Sequence, residues 1–595
     1  MSKYLPKFLY VLKGEYKRLL LMVLLFVFVS CLEVVGTGLI GPFISLATAP
    51  TLIAENSMLN SIYRSLNLES PNQFVGLIGC LIIVIYFVKA FLSFSSQKLI
   101  FAFGFKQQGQ LAARLMHRYL AAPYTFHLGR NSASLIQNIT IETEHFSNGV
   151  MMPLLTSISN AIVTIALMGL LVKTNAMAMA IIGGIVVISY GLLESSKHKI
   201  ARWGKNCSDA LTEMIRSINH GMGGFKETKI IGCEAYFENK LAAQIERYST
   251  SASSALSFGN LPRYAIEVFL IAFLVGFTLL YISTNQGNAQ SLSSVLGIFA
   301  LASIRLLPAV GNLLSSINGI RYHACSLDKI YLDLRELEGV NTGQKPSSFA
   351  KVSSENNARL VFPFRDRIIL DNISYSYPHA ASPSLDRVSL AIEKGGSIGL
   401  IGKSGAGKTT LVDAILGLIT PQAGDITIDG TSIYTNLRAW QNSIGYVPQS
   451  IFLIDDTLER NIAFGVPDWE IDPHRLEQAI VAAQLEELVA QLPNGLQTML
   501  GERGVLLSGG QRQRVGIARA LYHERDILVF DEATAALDTE TEASVTESIR
   551  ALSGIKTTIV IAHRLSTLAH CDRIYQLERG SLVKSGSYSE VVLEK

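Results

Sequence analysis

The chain has 595 residues, 49% of them hydrophobic and only 17% charged, with a mean hydropathy of +0.31 and a formal net charge of +3. Ordinary soluble chains are about 25% charged, so this composition excludes a disordered or collagen-like chain and argues against a wholly soluble enzyme. The small positive balance, without a Lys/Arg-rich stripe, argues against a nucleic-acid partner.

The apolar residues concentrate in the first 320 positions. A membrane span needs about 20 mostly apolar residues. Leu19 to Thr48 carries one charge, Glu33; Phe74 to Gln97 carries one, Lys89; Phe146 to Val172 and Ala176 to Leu193 carry none. From Val268 the next charge is Arg305, a run too long for one helix and broken by the polar stretch Ser283–Ser291. It reads as two spans, 263–282 and 292–317, which makes six in all. The first run is too long for the apolar part of a signal peptide. Lys3, Lys7, Lys13, Lys17 and Arg18 precede it and set a cytoplasmic start. An even number of spans returns the chain to the cytoplasm.

Residues 98–145 and 194–262 join spans on the inner side and are rich in Lys, Arg, Glu and Gln. Connections of that length are rarely structureless, so the spanning helices are expected to continue into the cytoplasm. The bends are expected to carry short cross-helices near Pro123–Leu128 and Gly221–Phe225. The polar stretch Asn341–Asn357 reads as a linker, after which β-branched runs alternate with helical ones, the pattern of an α/β domain. Six cysteines (Cys31, Cys80, Cys207, Cys233, Cys325, Cys571) are scattered without CxxC spacing and read as separate reduced thiols.

Gly402-Lys-Ser-Gly-Ala-Gly-Lys408-Thr409 fits GxxxxGK[ST] between an apolar run, Ser397–Ile401, and a helical one, Thr409–Leu418. In that setting the glycines turn backbone N–H groups onto phosphate oxygens, the lysine bridges β and γ phosphates, and the hydroxyl after it holds Mg²⁺. The phosphate cradle so read comprises Gly402, Ser404, Gly405, Ala406, Gly407, Lys408, Thr409 and Thr410. Ile527–Phe530 is an apolar run ending in Asp531 and Glu532. An acid pair at a strand end supplies the second half of such a site: Asp531 reaches Mg²⁺ through water, and Glu532 takes the proton of the attacking water.

Leu507-Ser-Gly-Gly-Gln511 before the basic helix Arg512–Leu521 resembles the signature of ATP-binding cassette (ABC) proteins. The remaining cassette motifs follow in the order of that family. Tyr377 is similar to the aromatic that stacks on adenine, and Gln449, in Tyr446-Val-Pro-Gln449, to the Q-loop glutamine, a magnesium ligand that also serves catalysis. Gly501-Glu-Arg-Gly504 resembles the loop before an exporter-type signature, and Ala535-Ala-Leu-Asp538 the D-loop, which in this family commonly begins with Ser. His563 is similar to the switch histidine. The resemblance implies catalytic Glu532, His563 and Gln449, magnesium on Thr409, Gln449 and Asp531, and ATP between Tyr377, the cradle, and the signature residues Ser508, Gly509, Gly510 and Gln511 of another cassette. One copy of each motif per chain implies two chains, most simply a homodimer.

Six spans ahead of one cassette resemble an ABC exporter half-transporter. The implied fold is an α-helical membrane bundle of six transmembrane helices, domain-swapped in a dimer, followed by an α/β P-loop cassette. The expected boundaries are a transmembrane domain over 1–335, a linker over 336–358 and a nucleotide-binding domain over 359–595. Leu32–Gly38 with Pro42-Phe43, Pro262-Arg263-Tyr264-Ala265-Ile266-Glu267, and Gly224–Lys229 with Tyr236-Phe237 are similar to flippases of lipid-linked oligosaccharides and to polysaccharide exporters. That likeness implies an amphipathic substrate such as a polyprenyl-pyrophosphate glycan or glycolipid. Multidrug, lipid or peptide export and an ATP-gated channel are the alternatives. Only 18 residues precede the first span, which leaves no room for a leader-cleaving peptidase domain. Charges inside a bilayer are expensive and default to functional candidates. Glu33, Arg263, Glu267 and Arg305 are therefore expected around a substrate cavity, with Glu33–Arg305 pairing and snorkelling of Lys89, Arg263 and Glu267 as the structural readings. The expected setting is a bacterial inner membrane, multi-pass, with the cassette in the cytoplasm.

Overall fold

The computed structural model describes residues 4–12, 14–48, 61, 63–65, 70–174, 176–284, 306, 308–338, 362–378, 380, 382–532, 539–562 and 565–593. The chain divides into two compact units, Met1–Ala122 with Phe126–Pro346, and Ser347–Lys595 with Pro123–Thr125.

The first unit is helical. Its long helices are Tyr16–Thr48, Pro71–Leu120, Met152–Thr174, Ala176–Ser195, Lys197–Gly223 and Glu234–Thr284; residues 308–322 are also helical, and Ala324–Glu338 follows. The first five expected spans lie on these helices. The sixth lies partly outside the described residues, which resume near 306. Among the described residues Lys17–Ile40, Pro71–Leu120 and Ser132–Gly169 are long and apolar enough to cross a membrane. None of the apolar window on Pro71–Leu120 is buried, and Phe87 is 77% exposed; such a surface needs lipid or a partner chain around it.

Pro71–Leu120 and Glu234–Thr284 run 50 and 51 residues, about 75 Å at 1.5 Å per residue. Both exceed a hydrocarbon core of about 30 Å, which is the extension expected from their polar inner halves. Pro71 starts its helix at the position where a missing N–H costs nothing, and Pro123 follows its end. Short cross-helices form at Tyr124–Leu128 and Phe225–Ile231. The second begins where it was expected to end, because Lys197–Gly223 runs through Gly223 and the chain turns only at Gly224. Gly232 closes it in a left-handed conformation (φ +70°) that favours glycine.

The inner ends of the helices are joined by buried polar contacts. Glu142, fully buried, accepts from Gln137 Nε2 (3.0 Å) and Ser208 Oγ (2.6 Å) and pairs with Lys329 (3.0 Å). Asp333 accepts from Asn138 Nδ2 at 2.8 Å, pairs with Arg130 at 2.9 Å and receives the Tyr119 hydroxyl. Gly204 lets the backbone of Tyr322 approach: a Cβ there would lie 1.9 Å from the Tyr322 carbonyl oxygen.

Among the described residues the second unit carries ten strands: β1 Arg367–Tyr375, β2 Leu385–Glu393, β3 Ser397–Ile401, β4 Ala423–Ile428, β5 Thr431–Ser432, β6 Ile444–Val447, β7 Ile527–Asp531, β8 Thr557–Ile561, β9 Arg573–Glu578 and β10 Ser581–Gly586. A four-stranded antiparallel sheet has the order β2-β1-β4-β5, and a six-stranded sheet the order β10-β9-β3-β8-β7-β6. In the larger sheet only the β9–β10 pair is antiparallel. β7 and β8 are buried at every residue, as parallel strands covered on both faces must be. Trp440, fully buried, donates its indole N–H to the Ile415 carbonyl (2.7 Å) at the end of the helix Lys408–Ile415. Ligands of open parallel sheets bind beyond the carboxyl ends of the strands, and the chain leaves β3, β6 and β7 there into the three motif segments.

Candidate functional site

β3 ends at Ile401 and the chain reaches the helix Lys408–Ile415 through a loop with three glycines at positive φ: Gly402 (+152°), Gly405 (+78°) and Gly407 (+102°). Two of them are also sterically obligatory. A Cβ on Gly402 would lie 2.4 Å from the Leu577 carbonyl oxygen, and one on Gly407 2.5 Å from that of Ser384. Lys408 is buried, and its ammonium folds back to the carbonyls of Gly402 (2.8 Å) and Lys403 (3.2 Å). The loop is thus closed over its own lysine, with Ser404, Gly405 and Thr409 exposed and Ala406 and Thr410 buried.

β7 delivers the acid pair. Asp531 is its last residue, buried, and accepts from the Tyr446 hydroxyl at 3.3 Å. Burial pushes its carboxyl up, and the negative charge of Glu532 adds to this, against the Tyr446 hydrogen bond and the Lys408 charge. Glu532 turns out of the strand at φ +50°, with its N–H on the Ile561 carbonyl (3.0 Å). Its carboxylate accepts from Gln449 Nε2 at 2.5 Å. A non-glycine residue at positive φ is uncommon and strained unless its surroundings hold it; here the strain aims the carboxylate along the strand end toward the Q-loop side chain.

Lys408, Asp531, Glu532 and Gln449 are therefore one cluster. Two further members have no role assigned from the sequence, although Tyr446 opens the segment that holds Gln449. Tyr446 holds Asp531. Asp413, one and a half turns into the helix after the loop, is buried and pushed up to about 6, first by desolvation and then by the charge of Asp531. Tyr377 is half-buried against the core, edge-on to Tyr375 with ring centroids 5.1 Å apart. His563 and the segment containing Ala535 and Asp538 lie outside the described residues.

Ser508 caps the helix Gly509–Tyr522 through a reciprocal capping box with Gln511, which leaves the N–H groups of Gly509 and Gly510 at a helix start. Among the described residues no hydrogen bond or ion pair joins Ser508–Gln511 to the 402–410 loop.

Residues 385–535 match the family described as "ABC transporter", and residues 19–305 the one described as "ABC transporter transmembrane region". The chain is 32% identical to an "ATP-dependent lipid A-core flippase" of Cupriavidus metallidurans, over 81% of this chain and 79% of that protein. The chain belongs to the ABC transporter family. A protein of the same description from Thiobacillus denitrificans is 27% identical over 94% of this chain and 93% of its own. The structure of a bacterial Atm1-family ABC exporter with ATP bound shares the fold, with a TM-score of 0.74 at 22% identity, covering 98% of this chain and 97% of that one. This ABC transporter is an ATP-binding, ATP-hydrolysing, multi-pass membrane protein in which a helical bundle is fused to a cassette.

In the bundle of the transporter three of the four expected charges, Glu33, Arg263 and Glu267, lie among the described residues. Glu33 is buried and forms an ion pair with Lys89. Lys89 is therefore a partner of Glu33, which corrects the expectation that it snorkels alone: the two helices face each other there, and pairing is the cheaper fate for two charges in apolar surroundings. Arg305 lies outside the described residues. Arg263 and Glu267 share one cavity of about 520 Å³, beside Pro262, Asn312 and Ser315.

Proposed function

We propose that this ABC transporter works as a homodimer in a bacterial inner membrane, using Mg²⁺-ATP to carry an amphipathic glycolipid from the cytoplasmic side outward. The observation that carries the ATP-driven part is the cluster of Lys408, Asp531, Glu532 and Gln449 beyond the strands; among the described residues no hydrogen bond or ion pair ties the chain's own Ser508–Gln511 to the 402–410 loop. A second chain then supplies Ser508–Gln511, so each nucleotide is held by two cassettes, and ATP binding favours their closed state. Driving such a switch from 1:99 to 99:1 takes about 5.5 kcal/mol of differential binding.

In this reading Lys408 leaves the loop carbonyls for the β and γ phosphates. The Gly402–Thr410 backbone cradles them, and Tyr377 stacks on adenine. Thr409, Gln449 and Asp531 offer the oxygen donors a hard cation prefers, and the raised Asp531 carboxyl favours a cation nearby. Magnesium supplies charge neutralisation of the phosphates. Glu532 accepts the water proton, and Gln449 and His563 position the γ-phosphate. Tyr124–Leu128 and Phe225–Ile231 act as coupling helices.

The lipid part rests on the relatives named lipid A-core flippases and on the exposed apolar helices. The finer choice of a lipid-linked oligosaccharide, with Arg263 and Arg305 meeting its pyrophosphate, rests on the span 1, span 5 and second-loop residues quoted above. ATPase activity of the full chain in lipid nanodiscs, assayed against polyprenyl-linked glycans, glycolipids, drugs and peptides, tests it. Stimulation by sugar-bearing lipids is expected, and stimulation by drugs or peptides alone overturns the lipid reading.

A further inference from the structure

A second cavity in the bundle, about 400 Å³, is lined by four helices; Tyr16–Thr48 contributes the apolar Val29, and the other three contribute uncharged polar side chains. Ser93, Ser96 and Gln97 come from Pro71–Leu120; Thr156, Ser159 and Asn160 from Met152–Thr174; Asn312, Ser315 and Ser316 from residues 308–322. No Asp, Glu, Lys or Arg lines it. Ser93–Gln97 and Asn312–Ser316 sit at the cytoplasmic ends of spans 74–97 and 292–317, and Thr156–Asn160 at the middle of span 146–172, so the space lies in the inner half of the expected membrane region. The volume lies within the range of small-molecule sites, about 300–1,000 Å³.

The hydrogen bonding of these side chains differs from that elsewhere in the bundle. Ser30, Ser95 and Ser189 satisfy their hydroxyls on carbonyls four residues back, at 2.8–2.9 Å. In the cavity wall Thr156 does so too, touches Ser316 Oγ at 3.3 Å, and its carbonyl receives Asn160 Nδ2 at 2.9 Å. Ser93, Gln97, Ser159, Asn312 and Ser315 make no side-chain hydrogen bond among the described residues. Polar groups within the thickness of a membrane are costly unless something satisfies them. Five such groups from three helices around one space offer donors and acceptors to a guest.

We propose that this chamber receives the sugar hydroxyls of the transported lipid's head group. The inference rests on the glycolipid reading above and deepens it. Hydroxyl and carboxamide side chains present both donors and acceptors, and a sugar hydroxyl is likewise both. A phosphate only accepts, and its preferred partners are Arg and Lys, which the chamber lacks. Asn312 and Ser315 also line the cavity that holds Arg263 and Glu267, so the two spaces adjoin at these residues, one suited to sugars and the other carrying a cation for a phosphate.

The test uses the full chain in phosphatidylcholine nanodiscs and two probes on the same lipid body: a diglucosyl diacylglycerol, uncharged and rich in hydroxyls, and phosphatidic acid, with a phosphate and no sugar. The readout is the ratio of the two concentrations that half-maximally stimulate ATP hydrolysis. Asn312→Leu, and separately S93A/S159A/S315A, which removes three oxygens and adds no bulk, are each expected to shift that ratio about tenfold against the glycolipid, the loss of one or two net hydrogen bonds. A ratio unchanged in the alanine variant overturns the chamber's role while the glycolipid reading stands. A wild-type protein stimulated by neither probe overturns both, and a wild-type protein stimulated by phosphatidic acid alone overturns the sugar assignment.

Discussion

The cassette and the membrane bundle treat buried charge in opposite ways. In the cassette, Asp413, Asp531 and Glu532 crowd one end of a sheet, and the lysine beside them is turned onto its own loop carbonyls. In the bundle, Glu33 is matched by Lys89, and Glu142 by Lys329. One unit carries electrostatic tension that a cation and a polyphosphate relieve; the other cancels its charges internally. The lesson is that a buried acid marks a ligand site only when its neighbours fail to neutralise it.

Replacing members of each set sharpens or breaks this contrast. The largest effect is expected from Glu532→Gln: phosphate release by the purified protein with Mg²⁺-ATP should fall about 10³-fold, the scale of a lost general base, with nucleotide still bound. Turnover within tenfold of wild type would remove Glu532 from that role. Next, Lys89→Leu removes the lysine that faces the buried Glu33 and should lower unfolding stability in detergent by about 3 kcal/mol. The double variant Glu33→Gln/Lys89→Met should recover most of it. Equal melting of the single and double variants would mean that the pair does not hold the helices.

Lys408→Ala should weaken ATP binding about 30-fold, the loss of one charge-assisted interaction of about 2 kcal/mol, and unchanged affinity would sink the cradle assignment. The smallest effect concerns pH. Asp413 has a folded-state value of about 6, above the ordinary carboxylate range, so between about pH 4 and 6 the folded chain retains a proton that the unfolded chain has released. Its contribution therefore favours folding at acid pH and is lost as pH rises through 6. In magnesium-free, nucleotide-free protein, Asp413→Asn should raise stability at pH 7.5 by on the order of 2 kcal/mol and have little effect near pH 4. A variant equally stabilised at both pH values would place the effect in packing rather than in charge.

The cassette was legible because its chemistry sits in contiguous segments. Gly402–Thr410 carries a spacing that fits a strand–loop–helix turn, Asp531-Glu532 closes an apolar run, and Ser508–Gln511 stands out by its resemblance to the family signature. Asp413 and Tyr446 escaped notice because their roles arise from burial beside Asp531, which no local pattern encodes. In the bundle, five spans and the long inner extensions followed from hydropathy and charge alone. The partners of the charges did not follow, since Glu33 and Lys89 meet only through helix packing. The polar chamber left a trace in the clusters Ser93–Gln97, Thr156–Asn160 and Asn312–Ser316 within three spans, but a cluster of serines reads as a helix surface until the helices are placed around one space.

The 50-residue helix Pro71–Leu120 contains no proline after its first residue, so it is a stiff lever with about 30 Å in hydrocarbon and a comparable length beyond it. A 10° tilt about its membrane-embedded part sweeps the cytoplasmic tip through about 8 Å, given about 45 Å of arm at 1.5 Å per residue. Small rotations among lipid tails are thereby geared up to travel on the scale of a whole side chain, and a push at the far end is geared down into a slow, forceful twist of the bundle.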